Sequence, residues 1–252
     1  MGKIALQLYS VREAAGKNFL ETVRKVADMG YDGIQFAGFF DTPAEELKKV
    51  MDGKGITAAG SHMGIDTLLG DNLEQTLEYN HIIGNDFIIC PYLPEEYRKT
   101  SEDYNKTAEI LNEIGQKCKE NGFTFVYHNH DFEFSLFDGE TGFELLFDHT
   151  DADLVKIELD CYWAAFAGFE PRNIIEKYGE RVVSLHIKDV KNVNGVKRSI
   201  EIGSGELDIK SLLNTGDQFG VRWYVVEQEH FDGDPMESSR INIQNLQSIL
   251  AK

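Results

Sequence analysis

Eight short stretches of the chain alternate apolar and polar residues or run apolar throughout, and longer stretches with apolar residues every three or four positions lie between them. A period of two marks a strand with one buried face; a period near 3.6 marks a helix with an apolar stripe. The strand-like stretches are 3–9 (KIALQLY), 33–38 (GIQFAG), 56–62 (ITAAGSH), 86–92 (DFIICPY), 123–130 (FTFVYHNH), 154–160 (LVKIELD), 182–189 (VVSLHIKD) and 223–229 (WYVVEQE). Helical spacing covers 18–29, 42–52, 72–83, 102–120, 141–148, 170–178, 208–214 and 236–251. Thr42-Pro43 and Ser101 open two of these helices, and Gly30 and Gly122 follow helix ends.

Strands that alternate with helices build a parallel sheet. Eight such units in 252 residues predict an α/β fold, a (β/α)8 TIM barrel occupying residues 1–252 as one domain. A doubly wound sheet would call for a Gly-rich turn after the first strand, and LYSVREAAGK has none.

In a barrel strand one set of side chains meets the helices and the other lines the interior. In the sixth stretch Val155, Ile157 and Leu159 form the apolar set, which turns Lys156, Glu158 and Asp160 inward. The seventh turns Ser184, His186 and Lys188 inward, the fifth Val126, His128 and His130, and the eighth Val225 and Glu227. Gln7 and His62 fall in the same register. The polar members gather at the C-terminal ends, the end at which TIM barrels place their sites. Ionisable groups buried there need partners, water or a cation, because an unpaired buried charge costs several kcal/mol.

Composition narrows the chemistry. Lys plus Arg number 25 against 43 Asp plus Glu, a net charge of −18, which disfavours nucleic acid and anionic membranes as partners. Cys90, Cys118 and Cys161 show no metal-binding or disulfide spacing, and no apolar run reaches membrane-spanning length. The expectation is a cytoplasmic protein with a small-molecule partner; a homo-oligomer is left open.

Asp160, His186 and Glu227 end three successive strands, and a mixed carboxylate–imidazole set suits a borderline divalent cation. HNHDFE offers a fourth ligand, either His128 at the strand end or Glu133 folding back from the loop; the three-carboxylate set with Glu133 is preferred for charge balance. Taken singly, Asp160 also reads as a helix N-cap, Glu227 as an ion-pair partner of Lys188, and His186 as a core histidine. EIGSGELD (201–208) reads as a tight turn walling the site in preference to a phosphate nest, and Trp163 as an apolar surface for a sugar ring.

YHNHDFEF, ELDCYWAAFAG, HIKD, EIGSGELD and YVVEQE, in that order, resemble the sugar phosphate isomerase/epimerase family of xylose isomerase-like TIM barrels over essentially the whole chain. The resemblance implies one divalent ion, Mn²⁺ first and Mg²⁺, Co²⁺ or Zn²⁺ as the other candidates, held by Glu, Asp, His and Glu from four strands. Asp160, His186 and Glu227 match the last three of these. The chain departs at the first, where His128 stands in place of glutamate, and again at Gln35, where relatives carry glutamate.

The chemistry then implied is isomerisation or epimerisation of a keto or aldo sugar through a metal-stabilised enediolate. Glu227 is the base, His130 or Glu133 faces it across the substrate, and Lys188 steadies the oxyanion. His62, Trp163 and Gln7 are the expected substrate contacts. The alternatives are β-elimination on a keto sugar, keto-inositol or 3-keto-glycoside and, last, a sugar-binding subunit without turnover.

Overall fold

A computed structural model describes residues 2–251. Its centre is a closed parallel barrel of Lys3–Gln7, Gly33–Phe36, Thr57–His62, Phe87–Cys90, Thr124–His128, Val155–Asp160, Val182–Ile187 and Trp223–Val226, the first to eighth strands below. Each strand pairs with its neighbours in chain order, and the first closes on the eighth, Ala5 opposite Val225. The (β/α)8 expectation is met. The strands are shorter than the sequence periodicity suggested, and in all but the third and sixth the last predicted residues already belong to the loops of the mouth.

The alternation of side chains divides the apolar residues as expected. Leu6, Ile34, Phe125, Tyr127, Ile157, Leu185 and Val226 point outward and join the helices in the main core. Ala5, Ala59, Phe87, Ile89, Val126, Trp223 and Val225 form a second, smaller cluster that plugs the barrel interior. Trp223 reaches that plug only because position 33 is glycine: a Cβ there would stand 2.7 Å from the indole. Gly60, at φ +135°, sits where the second and third strands slip register, and any side chain would be strained there.

Most helices fall where the spacing predicts, among them Phe19–Asp28, Ala44–Lys54, Asn72–Ile83, Ser101–Glu120 and Pro235–Leu250. Two caps differ. Thr100, not Ser101, caps its helix through a reciprocal pair with Asp103, and Pro43, with no side-chain bond to offer, occupies the cap before Ala44.

Two of the elements that went unpredicted border the mouth. Cys161–Phe166 is a short helix that starts directly on the last residue of the sixth strand, too brief to show a period. Asp189–Val193 and Val196–Ile200 form a hairpin after the seventh strand. Its turn, Asn194-Gly195, has φ of 55° and 86°, the pairing that a two-residue hairpin demands and a signal the sequence did carry. No helix among the described residues is long and apolar enough to cross a membrane.

Candidate active site

The barrel interior changes from apolar to polar two residues below the ends of the strands. Glu158, one inward step beneath Asp160, is fully buried, and its Oε1 lies 2.9 Å from His62 Nε2, 3.2 Å from His128 Nδ1 and 3.0 Å from His186 Nε2. Gln35 Nε2 and Ser184 Oγ donate to its other oxygen at 2.6 and 2.8 Å. Burial alone would raise the Glu158 pKa, but the imidazoles outweigh it and hold this carboxyl well below its ordinary range.

Above this layer Asp160, His186 and Glu227 converge, one ligand atom of each lying within 4.8 Å of the others. The N-cap reading of Asp160 holds and accounts for one of its two oxygens. Its Oδ1 accepts from Trp163 N at 2.9 Å and so starts the short helix, while its buried Oδ2 accepts no hydrogen bond, although the Lys188 ammonium lies 3.1 Å away. His186 Nδ1 stands 3.1 Å from Glu227 Oε2, and His128 Nε2 stands 3.9 Å from Asp160 Oδ2. Asn129, between the two histidines of HNH, accepts from Asp160 N at 3.0 Å and ties the tops of the fifth and sixth strands together.

Lys188 is wholly enclosed and bridges the acids: its Nζ lies 2.8 Å from Glu227 Oε2 and 2.5 Å from Glu229 Oε1, between the rings of Tyr162 and Trp163. Burial opposes that charge, yet Asp160, Glu227 and Glu229 together raise its pKa well above the ordinary lysine value. Against this one ammonium stand Glu158, Asp160, Glu227 and Glu229. His186 meets part of the imbalance: burial lowers its pKa, but Glu158 and Glu227 on its two nitrogens prevail and raise it to about 10. His128 goes the other way, held well below 6.5 by burial and by neighbouring His186.

Glu133 does not join either group. The turn Phe132–Phe134 carries it behind the fifth strand, where it is fully buried, bonded to the Tyr127 hydroxyl and accepting from His130 N at 2.8 Å. Tyr127 belongs to the outward, helix-facing set, so Glu133 lies on the far side of the strand wall from the Asp160 group. This corrects its placement both as a ligand and as an acid–base group opposite Glu227; of the two candidates it is His128, with Nε2 3.9 Å from Asp160 Oδ2, that lies near the group.

Gln7 is likewise withdrawn from substrate contact. It is fully buried, with Nε2 donating to Gln35 Oε1 at 2.7 Å and Oε1 accepting from Tyr9 N at 3.1 Å. His62, His128, His130, Trp163, Glu227 and Glu229 all line a cavity of about 370 Å³ at the mouth, walled on the outside by Tyr9 and Tyr92. His130 stacks on Phe132, its Nδ1 buried without a hydrogen bond, and Trp163 Nε1 is in the same condition. Burial and the nearby Lys188 lower the His130 pKa to about 4, so its ring is neutral near pH 7.

The EIGSGELD turn is a nest that the chain fills itself. The Asp189 carboxylate accepts from Gly203 N and Gly205 N at 2.9 Å and from Leu207 N at 3.2 Å. A Cβ at Gly205 would fall 2.2 Å from that carboxylate. The amides of this nest are committed to Asp189 and not to a phosphate.

Glu158, Gln35 and Ser184 were absent from the expected site, although Glu158 and Ser184 lay in its inward register. For Glu158 and Ser184 the signal was a polar residue one inward step below Asp160 and His186, at positions where TIM-barrel interiors are usually branched and apolar.

The profile of the xylose isomerase-like TIM barrel matches residues 23–249. A crystal structure of a sugar phosphate isomerase/epimerase from Parabacteroides distasonis superposes with a TM-score of 0.81 at 25% identity, covering 98% of this chain and 94% of that one. Inosose dehydratase from Clostridium perfringens is 25% identical over 237 residues, 86% of this chain and 76% of the relative. Inosose dehydratase from Geobacillus kaustophilus is 24% identical over 193 residues, and the match spans 62% of that relative's length against 68% of this chain. With eight parallel strands closed around a polar mouth and a family match over nearly all of its length, the chain belongs to the xylose isomerase-like TIM barrel family.

Proposed function

We propose that this chain is a divalent-metal-dependent enzyme that removes the proton next to a carbonyl of a sugar or cyclitol, leading to isomerisation or epimerisation. One observation carries the reading: Asp160, His186 and Glu227 converge at the mouth with an Asp160 Oδ2 that is buried and accepts no hydrogen bond. Asp160, His186, Glu227 and His128 Nε2 would hold the ion, and two carboxylates with two imidazoles suit Mn²⁺ first, with Co²⁺, Zn²⁺ or Mg²⁺ as the other candidates. Bound there, the cation supplies Lewis acidity to a carbonyl and its neighbouring hydroxyl.

The chain's own groups do the rest. Glu227, whose burial is outweighed by Lys188 and His186 so that it stays ionised, takes the proton. Lys188, 2.8 Å from that carboxylate, places a fixed positive charge where the carbonyl oxygen gains electron density. Trp163 and His62 border the substrate, and the Tyr9–Tyr92 wall limits water. His130, neutral near pH 7, is a hydrogen-bond partner for a substrate hydroxyl.

A second reading, β-elimination of water, is favoured by one feature. Epimerisation at one carbon calls for acid–base groups on both faces of the substrate. The second carboxylate that would serve is replaced by His128, whose Nδ1 is held by Glu158. With Glu227 as the base, the proton it takes up can pass to a hydroxyl departing on the same face, and relatives at 24–25% identity are named as inosose dehydratases.

The test is incubation with keto sugars and keto-inositols in deuterated water with Mn²⁺. Label at the α-carbon, reduced by about 100-fold or more in Glu227→Gln, is the expected result. Loss of one water by mass spectrometry selects elimination, and an isomer of unchanged mass selects the first reading. Exchange that persists in Glu227→Gln would overturn the assignment of the base.

A further inference from the structure

Glu158 gathers three imidazoles around one oxygen. His62 Nε2 and His128 Nδ1 meet its Oε1 at 2.9 and 3.2 Å, His186 Nε2 lies 3.0 Å from it while bonding Gln35 Oε1 at 2.7 Å, and Gln35 and Ser184 donate to its Oε2 at 2.6 and 2.8 Å. Two of those rings turn their other nitrogen to the second carboxylate group. His128 Nε2 and His186 Nδ1 each lie 3.9 Å from Asp160 Oδ2, and His186 Nδ1 lies 3.1 Å from Glu227 Oε2.

We propose that Glu158 is a positioning residue that holds His128 and, together with Gln35, His186 from beneath, so that the other nitrogen of each ring faces the place between Asp160 and Glu227. The proposal rests on the metal reading above. An ionised carboxylate only accepts, so Nδ1 of the neutral His128 ring must carry the hydrogen where it meets Glu158, which leaves the lone pair on Nε2. A carboxylate on the far nitrogen of a ligand histidine fixes the ring plane and strengthens its donor nitrogen, and losing such a partner costs about 10- to 100-fold in metal affinity. Gln35 and Ser184 in turn hold Glu158, which accounts for two polar side chains deep in a barrel interior.

Two variants of the full chain, Glu158→Gln and Ser184→Ala, test this with Co²⁺ as the probe. Affinity comes from competition with a coloured chelator, and long-range ¹H–¹⁵N correlation of the histidine rings in metal-free protein shows which nitrogen carries the hydrogen. Glu158→Gln, with its circular dichroism unchanged, is expected to weaken Co²⁺ by about 10- to 100-fold, and Ser184→Ala, which touches neither ring, by about 3- to 10-fold. His128 should carry its hydrogen on Nδ1 in the wild type and on a mixture of both nitrogens in Glu158→Gln. Affinity within about twofold of wild type in folded Glu158→Gln, or an unchanged His128 ring, overturns the proposal. If Glu158→Gln does not fold, Ser184→Ala decides by the same two readouts. If the wild type takes up no Co²⁺, the metal reading falls, and the ring hydrogen alone decides the role of Glu158.

Discussion

The Nζ of Lys188 lies 2.8 Å from Oε2 of Glu227, and the lysine is completely buried. The proposed base therefore sits in permanent contact with a cation of the chain's own. Lys188 also reaches Asp160 and Glu229, which makes it the counter-charge of the upper half of the site.

Replacing Lys188 by Met should leave these acids facing one another in a region of low polarity. Removing one partner of a buried ion pair costs about 3 to 5 kcal/mol. Denaturant unfolding of Lys188→Met in the presence of chelator should show a loss of that order, and added Mn²⁺ should recover part of it. A loss below about 1 kcal/mol would mean that the acids are neutralised in another way.

Metal retention should separate the two sides of the barrel wall. Asp160→Asn and His186→Ala are expected to weaken Mn²⁺ by more than about 100-fold, beyond the range for outer-shell changes, while Glu133→Gln leaves it unaltered. The measurement is metal content after dialysis against a weak chelator. Loss of metal from Glu133→Gln would return Glu133 to the ligand set.

Glu133 carries its own pH signature. Burial raises its pKa from 4.5 to about 7, against the pull of the Tyr127 and His130 hydrogen bonds. The folded chain therefore holds this proton more tightly than the unfolded chain does, and the carboxyl costs stability progressively as pH rises from about 4.5 to about 7, with no further change outside that window. Glu133→Gln removes the titration. Its stability relative to wild type should rise across that window by on the order of 3 kcal/mol, read as the difference between unfolding midpoints at pH 5 and pH 8. Parallel pH curves for the two proteins would contradict the burial argument.

Asp189 fills the amide nest, so its loss should loosen the loop without touching the mouth. Asp189→Asn puts an NH₂ against at least one of the backbone donors that the carboxylate now satisfies, a buried mismatch worth about 1 to 3 kcal/mol. Thermal unfolding should register it, and faster amide exchange at Gly203 and Gly205 should localise it. An unchanged melting temperature would show that the nest does not depend on its carboxylate.

Much of this was readable along the chain. Glu158 and Asp160 share an inward face because they are two residues apart in a strand, and the same logic turned Ser184, His186 and Lys188 inward. Glu133 was not readable, because it lies beyond the end of its strand in a turn that has no period to say which way it points. Gln7 was assigned the correct face but the wrong role, since alternation reports direction and not which neighbour will take up the side chain.

The amino-acid order by itself determined the eight strand–helix units, the inward faces and the end of the barrel at which charge collects, because each follows from the local periods of strand and helix. Only the tertiary structure decided the partners: Gln35 meets Glu158 and His186 across separations of 123 and 151 residues. Closure of the sheet sets those distances. It also sets the depth at which each polar group lies, and depth is what distinguishes an acid that faces the cavity from one that holds the rings beneath it.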